Sequence, residues 1–531
     1  MRFVATLVLA TSLSAQVSYE RILSAENEPE NWLTYSGGYS SHRYSSLGQI
    51  NRENAGDLKA IWTHQKDSLH KFETTPLVVD GVMYISEPPS DVTALDAKTG
   101  RPLWRYQRQL PDDIPVCCGE VNRGVAVLGD SVYLGTLDAH LVALDAKTGL
   151  VKWDVVVEDY HFGISVTVAP LAVKDKIVVG IAGGEYGVRG FLDAYDAETG
   201  ERAWRFWTVP GPGEPGNETW AGDSWKRGAA TTWVTGSYDP DLNLVYWGTG
   251  NPGPDWNGEV REGDNLYSDS LIALDLDTGK LKWYFQFTPH DVHDWDATEV
   301  PVLIDGVVRG RKRKLVLFAN RNAFYYVLDR ESGEFLQGKA FAKQTWAEGL
   351  DDHGRPMRVP NTSPTVAGTK VYPGIPGATN WFSPSYSPLD HLFYVTTLEM
   401  GHIYHKGEAI YRQGSSYTAG GARHITDEQP YSEVRAFEPE TGNLKWAFST
   451  HASRDTKSRP RGGLMSSAGG LLFGSSPEGT FFALDSASGE PLWHFPTGGW
   501  ITSNPISFAV EGKQRVAIAA GHAIYVFGIE D

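Results

Sequence analysis

A stretch of the form A-L-D-x-x-T-G-x-x-x-W returns along this chain, and such self-similarity at a period of about fifty residues constrains the fold more than any local propensity. It is plain in "ALDAKTGRPLW" (94–104), "ALDAKTGLVKW" (143–153), "AYDAETGERAW" (194–204) and "ALDLDTGKLKW" (273–283), and persists in "AFEPETGNLKW" (436–446) and "ALDSASGEPLW" (483–493). Degraded copies are "VLDRESGEFLQ" (327–337), which lacks the Trp, and "NRENAGDLKAIW" (51–62), which lacks the start, making eight units. Apolar runs broken by tight turns precede the copies, as at Asp80-Gly81 in "LVVDGVMYIS" and at Lys174-Asp175-Lys176. Asp and Gly suit the reversal in D-x-x-T-G, and Trp offers a flat surface to the neighbouring unit. Four strands per unit, eight units and one ring predict an all-β fold, a single eight-bladed β-propeller with tryptophan-docking repeats.

The chain's 57 glycines, 30 prolines and 12% aromatic residues favour turns and strands over long helices, and 41% hydrophobic residues supply a large core. Inserts rich in Gly and Pro, such as "VPGPGEPGNETWAGDSW" (209–225), are expected as loops over one face that roof a central pocket. At the start, Arg2 precedes an apolar stretch from Phe3 to Ala10 and then small residues. This pattern predicts a cleaved signal peptide over 1–15, an exported and periplasmic propeller over 16–531, and no membrane span in the mature chain. The net charge of −18, from 47 basic and 65 acidic side chains, argues against nucleic acid and favours a basic protein partner.

Two local features carry chemistry. Cys117 and Cys118 are the only cysteines and are adjacent. Their Cα atoms, about 3.8 Å apart across a trans peptide, allow either a strained vicinal disulfide or two free thiols. "HDVHDWD" (290–296) sets two histidines and three aspartates in seven positions, as a metal site, a catalytic base or a polar turn would.

With "VCCGEVNRG", "GGEYGVRGFLDAYDAETG", "PGPGEPGNETW", "GTGNPGP" and "TPHDVHDWD" added to the repeats, the chain from about Trp32 onward resembles the quinoprotein alcohol dehydrogenases, which bind pyrroloquinoline quinone at the centre of an eight-bladed propeller. The resemblance implies that a Cys117–Cys118 disulfide stacks on one face of the quinone and Trp233 on the other. It implies that Arg123 and Glu73 hold the polar rim, that Thr167, Gly183, Gly184, Thr231 and Asn380 add contacts, and that Arg321 bonds the reactive carbonyl oxygen. Glu185, Asn251 and Asp294 match the family's ligands for a metal, all oxygen donors as a hard cation such as calcium demands. Asp294 would also be the base that takes the alcohol proton as hydride passes to the quinone. Asp296 resembles the extra carboxylate of lanthanide-using members, so calcium and a lanthanide ion both remain open. His290 and His293 fall outside that ligand set, and an i, i+3 pair without cysteine makes a poor zinc site.

Two departures bear on substrate. Methanol-oxidising members carry a Trp before a Gly-Gly pair where "RPRGGLMSS" has Arg461, and "AAGHAIYVFGIED" lacks their terminal Trp, which points to an alcohol larger than methanol. No C-x-x-C-H occurs, so electrons are expected to leave on a separate carrier such as a cytochrome c. A non-catalytic propeller that binds proteins is the alternative; the joint presence of Cys117, Cys118, Glu185, Asn251, Asp294 and Arg321 separates the two readings.

Overall fold

The computed structural model describes residues 17–450 and 462–530; the expected signal peptide and Arg461 lie outside the described residues. Among these residues the chain forms seven four-stranded sheets and one five-stranded sheet, with a three-stranded and a two-stranded sheet as additions. Tyr19–Leu23 is the one α-helix among them, and no helix is long and apolar enough to cross a membrane.

Each large sheet is built on four antiparallel strands whose burial falls from the innermost to the outermost, and the five-stranded one adds Tyr44–Ser45, parallel to Met465–Ser467. Leu77–Val79, Ala126–Leu128 and Leu171–Val173 are buried at every position, whereas the fourth strand Val151–Val156 alternates exposed and half-buried residues. A strand covered on both faces needs a continuous apolar run, while a strand at the rim needs only one apolar face. The sequence follows that rule, with "LVV" and "LAV" inside and "VKWDVV" outside.

The repeat motif builds the contact between successive sheets. In "ALDAKTG", Asp96 Oδ1 accepts hydrogen bonds from the backbone N–H groups of Lys98 (3.0 Å) and Thr99 (2.9 Å) and from the Thr99 hydroxyl (3.0 Å). Gly100 then takes a left-handed conformation, φ +71°, with its Cα against the Trp62 indole, so close that an added Cβ would lie 2.5 Å from Cε3. The same indole donates its N–H to the Ala97 carbonyl at 3.2 Å. Trp104 repeats this on Ala146, Trp153 on Ala197, Trp204 on Leu276, Trp283 on Arg330 and Trp446 on Ser486. The Trp-less unit solves the problem differently. Tyr325 donates its hydroxyl to Pro439 O at 2.5 Å and presents its ring to Gly442.

Trp493, in the sheet that ends with Pro491–Pro496, donates to Leu58 O at 3.1 Å, returning the series to its start. Beyond Leu58, strand Lys59–Gln65 pairs with Ala523–Gly528 and completes the sheet whose other strands are Ile506–Val510 and Lys513–Ala520. The sheets therefore close into a cycle through a pairing between the two ends of the described chain.

Candidate active site

Two tiers of loops converge on one cavity of about 350 Å³. The first tier leads into the innermost strand of successive sheets. Glu73 precedes Leu77–Val79, Arg123 precedes Ala126–Leu128, Thr167 precedes Leu171–Val173, Thr231 and Trp233 precede Ser237–Asp239, and Asp294 and Asp296 precede Val302–Val308, with Asn380 ahead of Ser385–Ser387. The second tier joins middle strands and supplies Gly183, Gly184, Glu185, Asn251 and Arg321. Cys117 and Cys118, on a loop between sheets, complete the wall, so every residue the resemblance assigns to the quinone or the metal lines this one cavity.

Arg123 is fixed on four sides. It pairs with Glu73 at 2.9 Å, donates to the Thr167 hydroxyl at 2.9 Å, and lies between the indoles of Trp233 and Trp381, 4.8 and 4.7 Å from their centroids. Guanidinium stacked on two indoles keeps its fork rigid and available for an anionic planar group. The buried Nε of Arg123 has no hydrogen-bond partner among the described residues, and neither has Nε of Arg321. Cys117 and Cys118 are joined as a disulfide, and Lys71 Nζ holds that turn through the Cys118 carbonyl at 2.7 Å. Gly183, at φ +113°, brings its backbone so near Gly163 O that a Cβ would lie 2.2 Å away, which is why glycine stands there. Flat walls, cations and close backbone fit a planar polyanionic quinone.

The acidic side of the cavity fits a hard cation. Glu185, Asn251, Asp294 and Asp296 all present oxygen. Burial raises the Glu185 carboxyl above its ordinary pKa, Asp296 adds to this, and a backbone hydrogen bond and Arg321 oppose it. Burial pushes Asp294 well above the carboxylate range against the pull of Arg321, and Asp296, Asp255 and Glu185 reinforce the shift. Asp294 nonetheless keeps 24% of its side chain open and lines the cavity. A cation placed among these acids would reverse every one of those repulsions. Glu185 Oε1 lies 2.8 Å from Cys117 Sγ and 3.6 Å from Cys118 Sγ. Asp296 differs from its neighbours. Its Oδ1 accepts from the Asn251 backbone N–H at 3.0 Å and from the Trp233 indole at 3.4 Å, while its Oδ2 pairs with Arg321.

The rest of "HDVHDWD" is scaffolding. Asp291 accepts from the backbone N–H groups of His293 (2.9 Å) and Trp295 (2.8 Å), bracing the turn that presents Asp294. His290 Nδ1 meets Gly263 O at 2.8 Å, and His293 Nε2 meets Thr362 O at 2.8 Å while its ring stacks on Trp295. Burial, aided by Arg261, pushes His290 down to about 4. Both rings therefore bond to backbone carbonyls distant in the sequence, where bonding within the acidic turn was expected.

Another expectation needs correcting. No residue of 209–225 lines the cavity. Its Trp220 is buried with Val209 and Ala230, its Trp225 packs beside them and under Arg189, and its Glu214 pairs with Arg189 at 2.6 Å. These apolar residues pack on one another, and the wall is left to Lys71, Val116 to Gly119, Ile375 to Pro376 and Asn380 to Phe382. Sequence reasoning also missed Trp381 and Asp255. The signal available for Trp381 was its place directly after Asn380; for Asp255 it was an acid inside the Gly/Pro-rich "NPGPDW".

Comparison with known proteins agrees with this geometry. The profile of the family described as "Glucose/ethanol/alcohol dehydrogenase, beta-propeller domain" matches residues 32–338, and one described as "Outer membrane protein assembly factor BamB" matches residues 431–531. The quinoprotein alcohol dehydrogenase PedH of Pseudomonas putida is 38% identical over 97% of this chain and 90% of its own. The quinohemoprotein alcohol dehydrogenase ADH IIB of the same species is 40% identical over 97% of this chain and 77% of its own. Among solved structures, the quinohemoprotein alcohol dehydrogenase from Comamonas testosteroni superposes with a TM-score of 0.91 at 34% identity, covering 97% of this chain and 82% of that one. A europium-containing methanol dehydrogenase gives 0.89 at 32% identity, covering 96% of this chain and all of that one. With a propeller dehydrogenase profile over more than half its length and such relatives over nearly all of it, the chain belongs to the quinoprotein alcohol dehydrogenases, β-propeller enzymes that oxidise alcohols with pyrroloquinoline quinone.

Proposed function

We propose that this alcohol dehydrogenase uses Asp294 as its general base and Glu185, Asn251 and Asp294 as ligands for a metal ion beside the quinone. The observation that carries the reading is the Asp294 carboxyl itself, open to the cavity, raised in basicity by burial, and 3.9 Å from the Arg321 guanidinium. A base must be ionised when the alcohol arrives and still want its proton; burial supplies the second condition and Arg321 the first. When bound, pyrroloquinoline quinone supplies the hydride acceptor and the ion a Lewis acid. Trp233 and the Cys117–Cys118 turn offer the flat walls of the cofactor slot. Arg123, Glu73, Thr167, Thr231, Asn380, Gly183 and Gly184 line its polar edges, and Arg321 holds Asp294 and Asp296 in place.

The ion is calcium or a lanthanide. Asp296, two residues beyond Asp294, would add negative charge suited to a trivalent ion, and the europium named in one structural relative supports that choice. The propeller is read as eight-bladed and tryptophan-docked. The eight large sheets and the series of indole contacts from Trp62 to Trp493 support this. We read residues 16–531 as that one domain, exported to the periplasm by the segment before it, with electrons passing to a separate cytochrome c drawn by the net charge of −18. The departures at Arg461 and at the C-terminal segment favour an alcohol larger than methanol.

Purified protein reconstituted with the quinone and either calcium or a lanthanide, then screened against alcohols with an artificial electron dye, tests the reading. Asp294→Asn should lower turnover by about 10²–10⁴-fold with the quinone still bound, because it keeps an oxygen and removes the base. Full turnover in that variant would overturn the assignment. Asp296→Ala should weaken lanthanide-dependent activity more than calcium-dependent activity; an equal effect on both would remove the lanthanide preference.

A further inference from the structure

We infer that Asp255 is a positioning residue that decides which atom of the Asn251 amide faces a bound cation; the inference rests on the metal reading above. An asparagine side chain has two ends of nearly equal size, a carbonyl oxygen that can ligate a cation and an NH₂ group that repels one. Something must choose between them. Asn251 is buried, and its Nδ2 donates to Asp255 Oδ1 at 3.0 Å. The contact pairs the amide's only donor group with a carboxyl oxygen, which sets the NH₂ end of Asn251 towards Asp255. The carbonyl end is thereby turned the other way.

The rest of Asn251 is already fixed. Its backbone N–H donates to Asp296 at 3.0 Å, and its carbonyl accepts from Ala230 at 2.9 Å. The side-chain torsions are the remaining freedom, and Asp255 removes it. Asp255 is in turn held by a clamp. Arg261, wholly buried, donates to the Pro254 carbonyl at 2.9 Å, the Asp255 carbonyl at 3.5 Å, the Asp291 carbonyl at 2.6 Å and Asn265 Oδ1 at 2.8 Å. One guanidinium therefore ties the turn that carries Asp255 to the loop that carries Asp294. Asp255 is buried and does not contribute to the cavity wall, so its action on the site passes through Asn251.

Partners of metal ligands, when removed, typically cost 10–100-fold in metal affinity. The test is a titration of the purified full-length protein with terbium alone, followed through luminescence sensitised by tryptophan; Trp233, whose indole lies 3.4 Å from Asp296, is the antenna. Calcium competition then reports the divalent affinity. Asp255→Ala should weaken both ions by about 10–100-fold with little change in melting temperature. Asp255→Asn should recover most of that loss, because its side-chain carbonyl can still accept from Asn251 although its charge is gone. Asp255→Leu, which fills the space and accepts nothing, carries the same expectation as the alanine variant should that protein fail to fold. Unchanged terbium affinity in the alanine or leucine variant overturns the inference, as does an asparagine variant that falls as far as alanine, since charge alone would then explain the loss. A folded parent protein that binds no terbium overturns the metal reading itself, and the inference with it; the two failures differ in whether the parent titrates.

Discussion

Asp269 is wholly buried, and neither of its carboxylate oxygens has a hydrogen-bond partner among the described residues. Burial raises its pKa well above the carboxylate range, with Asp291 and Asp296 adding to the shift and Arg261 and Arg321 opposing it. The folded chain therefore keeps this proton to higher pH than the unfolded chain does. Below about pH 4 both states hold the proton and there is no penalty. As pH rises from there towards the folded value, the unfolded chain ionises alone, and stability is lost by up to about 1.4 kcal/mol per pH unit. Asp269→Asn ionises in neither state, and Asn tolerates the left-handed φ of +47° at this position. Its melting temperature should match the parent near pH 4 and exceed it by a margin that widens up to pH 8. A constant margin would mean that the folded protein holds Asp269 ionised. Residues of this kind were not legible in the sequence. Glu185, Asn251 and Asp294 stand in motifs that resemble those of the quinoprotein alcohol dehydrogenases and are identified by that resemblance, whereas Asp255, Asp269 and Arg261 act through burial and through partners that only the folded chain brings near.

At the scale of the element, the repeat was legible because each of its letters has a separate physical task. Asp145 in "ALDAKTG" accepts from the Thr148 N–H at 2.8 Å and its hydroxyl at 2.7 Å, Gly149 supplies φ +73°, and Trp104 fills the space against that glycine. Gly149→Ala must then meet two costs, a left-handed backbone of about 1–2 kcal/mol and a Cβ placed 2.5 Å from the indole. Gly310 isolates the first cost, having φ +75° with no atom within 4 Å of an added Cβ. Gly310→Ala should lose about 1–2 kcal/mol in denaturant unfolding and Gly149→Ala about 1–3 kcal/mol more. Equal losses would mean that the indole moves aside at no cost. The unit without its Trp was harder to read, because Tyr325 takes over from the third strand, Phe324–Asp329, and not from the fourth. The added sheets were not read at all. Strands such as Ala347–Leu350, Pro356–Arg358 and Thr369–Val371 are short, sit outside the repeat and carry no alternation long enough to detect.

For the whole molecule, the consequential contact is the one between its ends. Six of the eight large sheets draw all their strands from one stretch of chain; the five-stranded sheet adds Tyr44–Ser45, parallel to Met465–Ser467, and the last takes Lys59–Gln65 from the opposite end, in register from Lys59 with Gly528 to Gln65 with Ala523. That pairing and the Trp493 contact to Leu58 are all non-covalent, so opening there parts Lys59–Gln65 from its sheet and uncovers sheet faces on either side. It should be the first place the cycle yields. Gln65 is exposed and Ala523 half-buried, directly opposite each other on the ladder, and the protein has no free cysteine among the described residues to divert a new bond. Joining them by Gln65→Cys with Ala523→Cys closes a loop far longer than 100 residues, for which chain entropy gives about 6 kcal/mol as a ceiling, less whatever distortion the bond imposes. The oxidised double variant should therefore melt several degrees above a Gln65→Ser, Ala523→Ser control and unfold more slowly. Because the cavity is lined by loops of six of the eight large sheets, from Glu73 round to Leu398, and the seam holds that arc closed, the cross-link should also slow loss of bound quinone on heating, and a rise in melting temperature without that effect would place the first opening at the site and not at the seam.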